Sequence, residues 1–168
     1  MPATEFPLHI RAAGRADAPT LAAMIRSLAR YEGKANVEHI TPDAVCDWAF
    51  GPEPAFHALL AEDSPAAPAP APLGYLAWYP VFSPFKGGRV MLVENLWVEE
   101  AARGRGVGKA LLRALAREAG RRGLARMELN VRRDNEATRR FYASLGFTLP
   151  GEEVCRIEDD ALARLAQG

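Results

Sequence analysis

The sequence predicts one α/β domain over residues 1–168. It is of the α+β three-layer kind, with a mixed, mostly antiparallel sheet of about six to seven strands flanked by helices. Three observations predict it. Runs rich in β-branched and aromatic residues stand beside segments whose apolar residues recur at helical spacing. The strand candidates come in groups before and after helices, and only one strand–loop–helix–strand crossover occurs, within 89–131. A chain of 168 residues, 49% of them hydrophobic, is large enough for one sizeable core.

Leu8–Arg11 reads as a short opening strand. Asp17 can cap a helix running to about Tyr31, with Leu21, Met24, Ile25, Leu28 and Ala29 on its apolar face. Thr41-Pro-Asp opens a second helix through about Phe50, with proline in the tolerated first turn. Phe56–Ala61 reads as a strand, followed by the proline-alanine stretch Ser64–Pro72, which suits a surface loop. Leu73–Tyr79 is an aromatic-rich strand, Ser83–Gly88 a turn and Arg89–Val98 a long strand. A helix follows from about Gly106 to Arg122, with Val107, Leu111, Leu115 and Ala119 on one face. Arg126–Val131 is the next strand, Asn135 opens a helix to about Leu145, and Gly146–Leu149 begins a last strand region. A short helix, Asp159–Ala166, ends the chain.

Composition narrows the function. Lys plus Arg equals Asp plus Glu at 21 each, which argues against a nucleic-acid partner held by backbone charge. No apolar run approaches the roughly 20 residues of a membrane span. The opening Met1–Pro7 lacks the basic start and apolar core of a secretory signal. Cys46 and Cys155 lack metal-ligand spacing; two free thiols are expected, one disulfide being the alternative. His9, His39 and His57 form no metal set, and no metal is expected.

The strongest chemical signal is Arg103-Gly-Arg-Gly-Val-Gly-Lys109, placed between a strand and an amphipathic helix. Glycines let a ligand approach the backbone, and the first helical N–H groups and the helix dipole favour an anion. Arg103, Arg105 and Lys109 add full charges, and together with Gly104, Gly106, Val107 and Gly108 the segment suits a pyrophosphate. The plainer reading is a glycine-rich turn on a basic surface. A dinucleotide fold would place its glycines after the first strand. A nucleoside-triphosphate loop would follow the lysine with Ser or Thr, whereas Lys109 precedes Ala110.

At these residues the chain resembles the GNAT superfamily of N-acetyltransferases. Arg103, Gly106 and Gly108 meet its Gln/Arg-x-x-Gly-x-Gly/Ala signature, and Asn135-Glu-Ala-Thr-Arg-Arg-Phe-Tyr142 with Gly146-Phe147 resembles its second motif. Leu28–Glu32, Phe56–Glu62, the segment 79–88 and Val93–Val98 resemble the spermidine/spermine and thialysine acetyltransferase branch. The resemblance implies acetyl-CoA as cofactor and direct transfer to a primary amine of a small molecule, a diamine, polyamine or thialysine-like amino acid. It also implies a cytoplasmic homodimer. Where the branch's eukaryotic polyamine enzymes carry Glu-Asp, this chain carries Glu94-Asn95, one negative charge fewer.

Acetyl transfer at neutral pH benefits from a base for the ammonium, whose pKa is near ~10, and an acid for the thiolate, near ~8.5. Tyr142 is the candidate acid; a tyrosine on a helix otherwise packs in the core with its hydroxyl satisfied. Glu94 lies inside an apolar run, where an ionised group is costly unless paired. It is a candidate to bind the ammonium or take its proton through water, the alternative being a solvated strand face. Leu96, Trp97 and Val98 are expected to offer backbone groups to the acetyl and pantetheine arm, as a strand edge does, although Trp97 can equally be core. The resemblance places Tyr31 and Glu32 in the amine pocket, with Asn130 and Glu153 as further substrate contacts; Tyr31 and Glu32 are otherwise only a helix C-terminus. It also places Asn135 and Thr138 near the cofactor, although Asn135 is a good N-cap as well. Lys109, Arg113, Arg117 and Arg121 recur every four residues as a solvated basic stripe. The competing classes are a non-catalytic acyl-CoA sensor, a nucleotide-binding module and an acetyltransferase for a protein or peptide amine.

Overall fold

The computed structural model describes residues 8–63, 70–124, 126–151 and 154–166. Five strands among them form one sheet in chain order: β1 (His9–Ala12), β2 (His57–Glu62), β3 (Pro72–Ser83), β4 (Gly88–Val98) and β5 (Met127–Leu129). β1 to β4 are antiparallel neighbours, and β5 joins β4 in parallel. The parallel step requires a crossover, which α3 (Val107–Arg121) supplies.

The remaining helices are α1 (Ala18–Tyr31), α2 (Pro42–Phe50), α4 (Glu136–Ala143) and α5 (Asp159–Ala166). Thr41 accepts a hydrogen bond from Ala44 N–H at 3.1 Å and caps α2 as its sequence suggests. Asp17 stands at the N-cap of α1 without capping it by its side chain. Its carboxylate instead receives the Arg11 guanidinium at 2.7 and 2.8 Å and the Gly14 N–H at 2.7 Å.

One core lies between α1, α2 and a face of the sheet, where Leu21, Ala22, Met24, Val45, Leu60, Tyr75, Ala77 and Trp97 are buried together. Alternation along β3 turns its neighbouring residues to the other face. There a Cβ on Gly74 would stand 3.4 Å from Val107 Cγ1 of α3, and the Arg122 guanidinium lies 5.0 Å from the Trp78 ring centre. Val107, Leu111, Leu115 and Ala119, the expected face of α3, are all buried. Both cysteines are free thiols.

Chain contacts divide the protein after Asn130 into two compact units, the second holding α4 and α5. β3 runs four residues past its expected end because Pro80 sits where a proline is tolerated. Beyond Trp78, β3 has no β2 partner, so the missing N–H faces an edge. The expected strand at Gly146–Leu149 does not form. Gly146 takes the left-handed conformation (φ 91°) that ends α4, and Phe147 N–H bonds back to Tyr142 C=O at 3.1 Å, so this donor closes the helix instead of a ladder. Two thirds of the expected loop at 64–72, residues 64–69, lies outside the described residues, as does the opening segment 1–7.

Candidate functional site

The site in the first unit starts from an irregularity in β4. The β3–β4 register pairs Ala77 with Asn95 and Trp78 with Val93, so Glu94 is the extra residue of a β-bulge. The bulge carries Glu94 to the face of Tyr79, whose hydroxyl donates to Glu94 Oε2 at 3.2 Å. On the other side of β4, the β5 ladder covers only Met91, Leu92 and Val93. Among the described residues, Asn95 to Val98 pair with β3 alone. This leaves an edge on the far side at Leu96 and Val98, while Trp97 between them turns its backbone C=O towards Gly74 of β3. An open strand edge offers N–H and C=O groups to an extended ligand.

The basic glycine segment lies directly after that edge. A single 3₁₀ turn, Glu100–Ala102, leads from β4 into it. Gly104 and Gly106 are left-handed, with φ of 76° and 82°. Gly106 is the N-cap of α3, and no side chain caps this helix end. Ala110 N–H is the first to bond back, to Gly106 C=O at 2.9 Å, so the N–H groups of Val107, Gly108 and Lys109 have no intrahelical acceptor. The first turn holds no acidic residue, and a Cβ built on Gly104 or Gly106 meets no atom within 4 Å. Unused donors, open space and the exposed cations Arg105 and Lys109 fit a pyrophosphate. Arg113, Arg117 and Arg121 are exposed farther along the helix, as a solvated stripe should be.

Arg103 is placed differently from its neighbours. Its Nε donates to Val98 C=O at 3.2 Å, and its guanidinium lies 4.9 Å from the Trp97 ring centre and 5.2 Å from that of Tyr31. Tyr31 meets Trp97 edge-on with ring centres 5.7 Å apart. Trp97 is buried and its Nε1 donates to Glu99 at 3.0 Å, so the alternative reading of Trp97 as core holds for its ring. The fold thus gathers Tyr31, Trp97 and Arg103, with Glu32 following at the exposed C-cap of α1. Asn130 is exposed just past the end of β5.

Sequence reasoning missed two tyrosines on this face. Tyr79 is held above the ordinary phenol range by burial and then by Glu94. Tyr75, the cross-strand partner of Trp97, is fully buried, and its hydroxyl has no hydrogen-bond partner among the described residues. Burial pushes its phenol up, and Glu32 and Glu94 push it further. The alternation of Tyr75 and Tyr79 along β3 was the available signal, obscured because such a strand also reads as plain core.

In the second unit, Asn135 Oδ1 accepts from Thr138 N–H at 3.1 Å and caps α4, which joins two residues expected at the cofactor. Tyr142 is buried between Phe141 and Phe147, with ring centres at 5.3 and 5.4 Å. Desolvation pushes its phenol up to about 12, so it keeps its proton at neutral pH. Glu153 lies outside the described residues. No cluster of three or more potential metal ligands occurs among the described residues, and none of their helices is long and apolar enough to cross a membrane.

Residues 21–147 match the acetyltransferase (GNAT) family. The thialysine N-epsilon-acetyltransferase of Sus scrofa is 31% identical over 164 residues, covering 94% of this chain and 96% of the relative. An integron cassette protein from the mobile metagenome of V. cholerae superposes with a TM-score of 0.77 at 22% identity, over 96% of this chain and 98% of the other. A predicted acetyltransferase of Clostridium acetobutylicum, solved with acetyl-CoA, superposes with a TM-score of 0.71 at 20% identity, over 89% of this chain and 96% of the other.

Proposed function

The chain belongs to the acetyltransferase (GNAT) family, and from that premise we propose that it moves an acetyl group from acetyl-CoA directly to a primary amine of a small molecule. It is an enzyme of N-acetyltransferase type. The substrate class we propose is a diamine, a polyamine or a thialysine-like amino acid; the name of the Sus scrofa relative supports it. The observation that carries the reading is the open β4 edge running from the bulged Glu94 straight to the uncapped N-terminus of α3.

Acetyl-CoA, when bound, supplies the thioester and a thiol leaving group. The N–H groups of Val107, Gly108 and Lys109, with Gly104, Gly106 and the cations Arg105 and Lys109, hold the pyrophosphate. The edge at Leu96 and Val98 lines up the pantetheine arm, and Asn135 and Thr138 assist on the cofactor side. Glu94 draws the ammonium and receives its proton through water, while Tyr31, Glu32, Asn130 and Glu153 line the amine site. Tyr142 gives its proton to the departing sulfur. Arg103 stiffens the wall between the two ligands through its stacking on Trp97 and Tyr31. Residues 1–168 act in this reading as one catalytic domain. The enzyme works in the cytoplasm as a homodimer, without a nucleic-acid, membrane or metal partner.

The test is a panel of diamines, polyamines, lysine analogues and aminoglycosides assayed by thiol release. At least one small primary amine is expected to turn over, and the Cys46→Ala/Cys155→Ala double variant should retain that activity because transfer is direct. Failure of every amine despite CoA binding overturns the catalytic reading in favour of an acyl-CoA sensor. Sedimentation velocity checks the homodimer: a concentration-independent monomer refutes it.

A further inference from the structure

We infer that the Tyr75 hydroxyl is a third hydrogen-bond acceptor for the substrate's primary ammonium, acting beside Glu32 and Glu94. The inference rests on the amine-acetyltransferase reading above and adds to it the group that selects a primary nitrogen.

Tyr75 is fully buried, and its Oη has no hydrogen-bond partner among the described residues. Arg126 Nε shares that description, but it lies 2.7 Å from a Glu128 carboxylate oxygen and so has an ionic neighbour. The hydroxyl of Tyr75 has no such compensation. A phenylalanine would fill the same space without leaving a polar atom unsatisfied, so the oxygen is unfavourable for folding alone. Tyr79, two alternations along the same face, has its hydroxyl engaged by Glu94. Tyr75 is therefore the unsatisfied group of a polar row.

The surroundings say what would satisfy it. The charges of Glu32 and Glu94 both act on this phenol and favour its protonated form. A cation drawn to the two carboxylates is drawn towards the hydroxyl as well. A primary ammonium carries three N–H donors, and the two carboxylates and the phenol lone pair are three acceptors. Once one proton leaves towards Glu94, the lone pair of Tyr75 still accepts an N–H and keeps the nitrogen in place. Tyr31, which is 65% exposed, and the exposed Arg103 both pack against Trp97, the cross-strand neighbour of Tyr75.

Tyr75→Phe tests the inference. Its melting temperature should equal or exceed that of wild type, and its calorimetric Kd for CoA should be unchanged. The KM for the preferred primary amine should rise about ten- to a hundredfold, the usual worth of a hydrogen bond to a charged group. An N-methylated secondary analogue, which has one donor fewer, should lose much less, so the preference for the primary amine shrinks. Unchanged KM and unchanged preference in the folded variant overturn the role of Tyr75 alone, and leave a core tyrosine over a buried water. If wild type acetylates no amine, the reading beneath it fails instead, and the inference falls with it.

Discussion

A single phenol carries the proposed acid chemistry. Tyr142 is packed between Phe141 and Phe147, and its proton is retained to about pH 12. Tyr142→Phe should lower turnover roughly ten- to a thousandfold, because the phenol matters when the thiolate departs and hardly before. CoA affinity should stay near wild type, since ring and packing remain, and Tm should move by no more than about 2 °C. Normal turnover with a fallen Tm would return Tyr142 to the core. A donor with a more acidic thiol should shrink the defect, because protonation then matters less. Tyr142 and Glu94 stand out as candidates in the sequence because each sits inside a motif or breaks an apolar pattern. Tyr75 does not, because a tyrosine in an aromatic strand looks the same with or without a partner for its hydroxyl. Only the three-dimensional surroundings show that one is missing.

The chemistry of single residues depends on how elements end. Gly106 begins α3 in a left-handed conformation and leaves three N–H groups unused. Any L-residue there is strained by about 1–2 kcal/mol, although a Cβ meets no neighbour. Gly106→Ala should therefore cost stability and modest CoA affinity. Gly106→Asp should cost similar stability but weaken CoA far more, at least tenfold beyond the alanine variant, because it places a negative charge at the anion site. Calorimetry on both variants separates strain from charge, and equal CoA affinities would remove the pyrophosphate from this helix end. The glycine spacing made the element visible in sequence. The bulge at Glu94 was invisible there, since it arises from pairing: Ala77 faces Asn95, Trp78 faces Val93, and one residue is left over. The failed strand after Gly146 has a similar cause. Gly146-Phe147 reads equally as a strand start or a helix stop, and the bond from Phe147 N–H to Tyr142 C=O decides for the stop.

For the molecule as a whole, the first unit is tied at its edge by one arginine. Arg11 of β1 reaches Glu62 of β2 at 2.6 and 3.0 Å and Asp17 before α1 at 2.7 and 2.8 Å. The sequence did not announce this, as Arg11 and Glu62 are 51 positions apart and meet only through the β1–β2 register. Its hydrogen bonds hold both carboxyls below their usual range, near about 3.9 for aspartate and 4.3 for glutamate in an unfolded chain. The unfolded chain then binds protons more readily than the folded one. The stabilisation is present above those unfolded values and is lost as pH falls through the lower folded ones. Unfolding free energy should accordingly decline from about pH 5 downward. Glu62→Gln should cost about 1–3 kcal/mol at pH 7, since a buried charged partner is removed while Asp17 still holds Arg11. The cost should narrow towards pH 3, where wild type has itself begun to lose the carboxylate. Urea unfolding of both proteins from pH 7 to 3 measures the gap, and parallel curves would mean that the Arg11 fork contributes nothing that depends on charge.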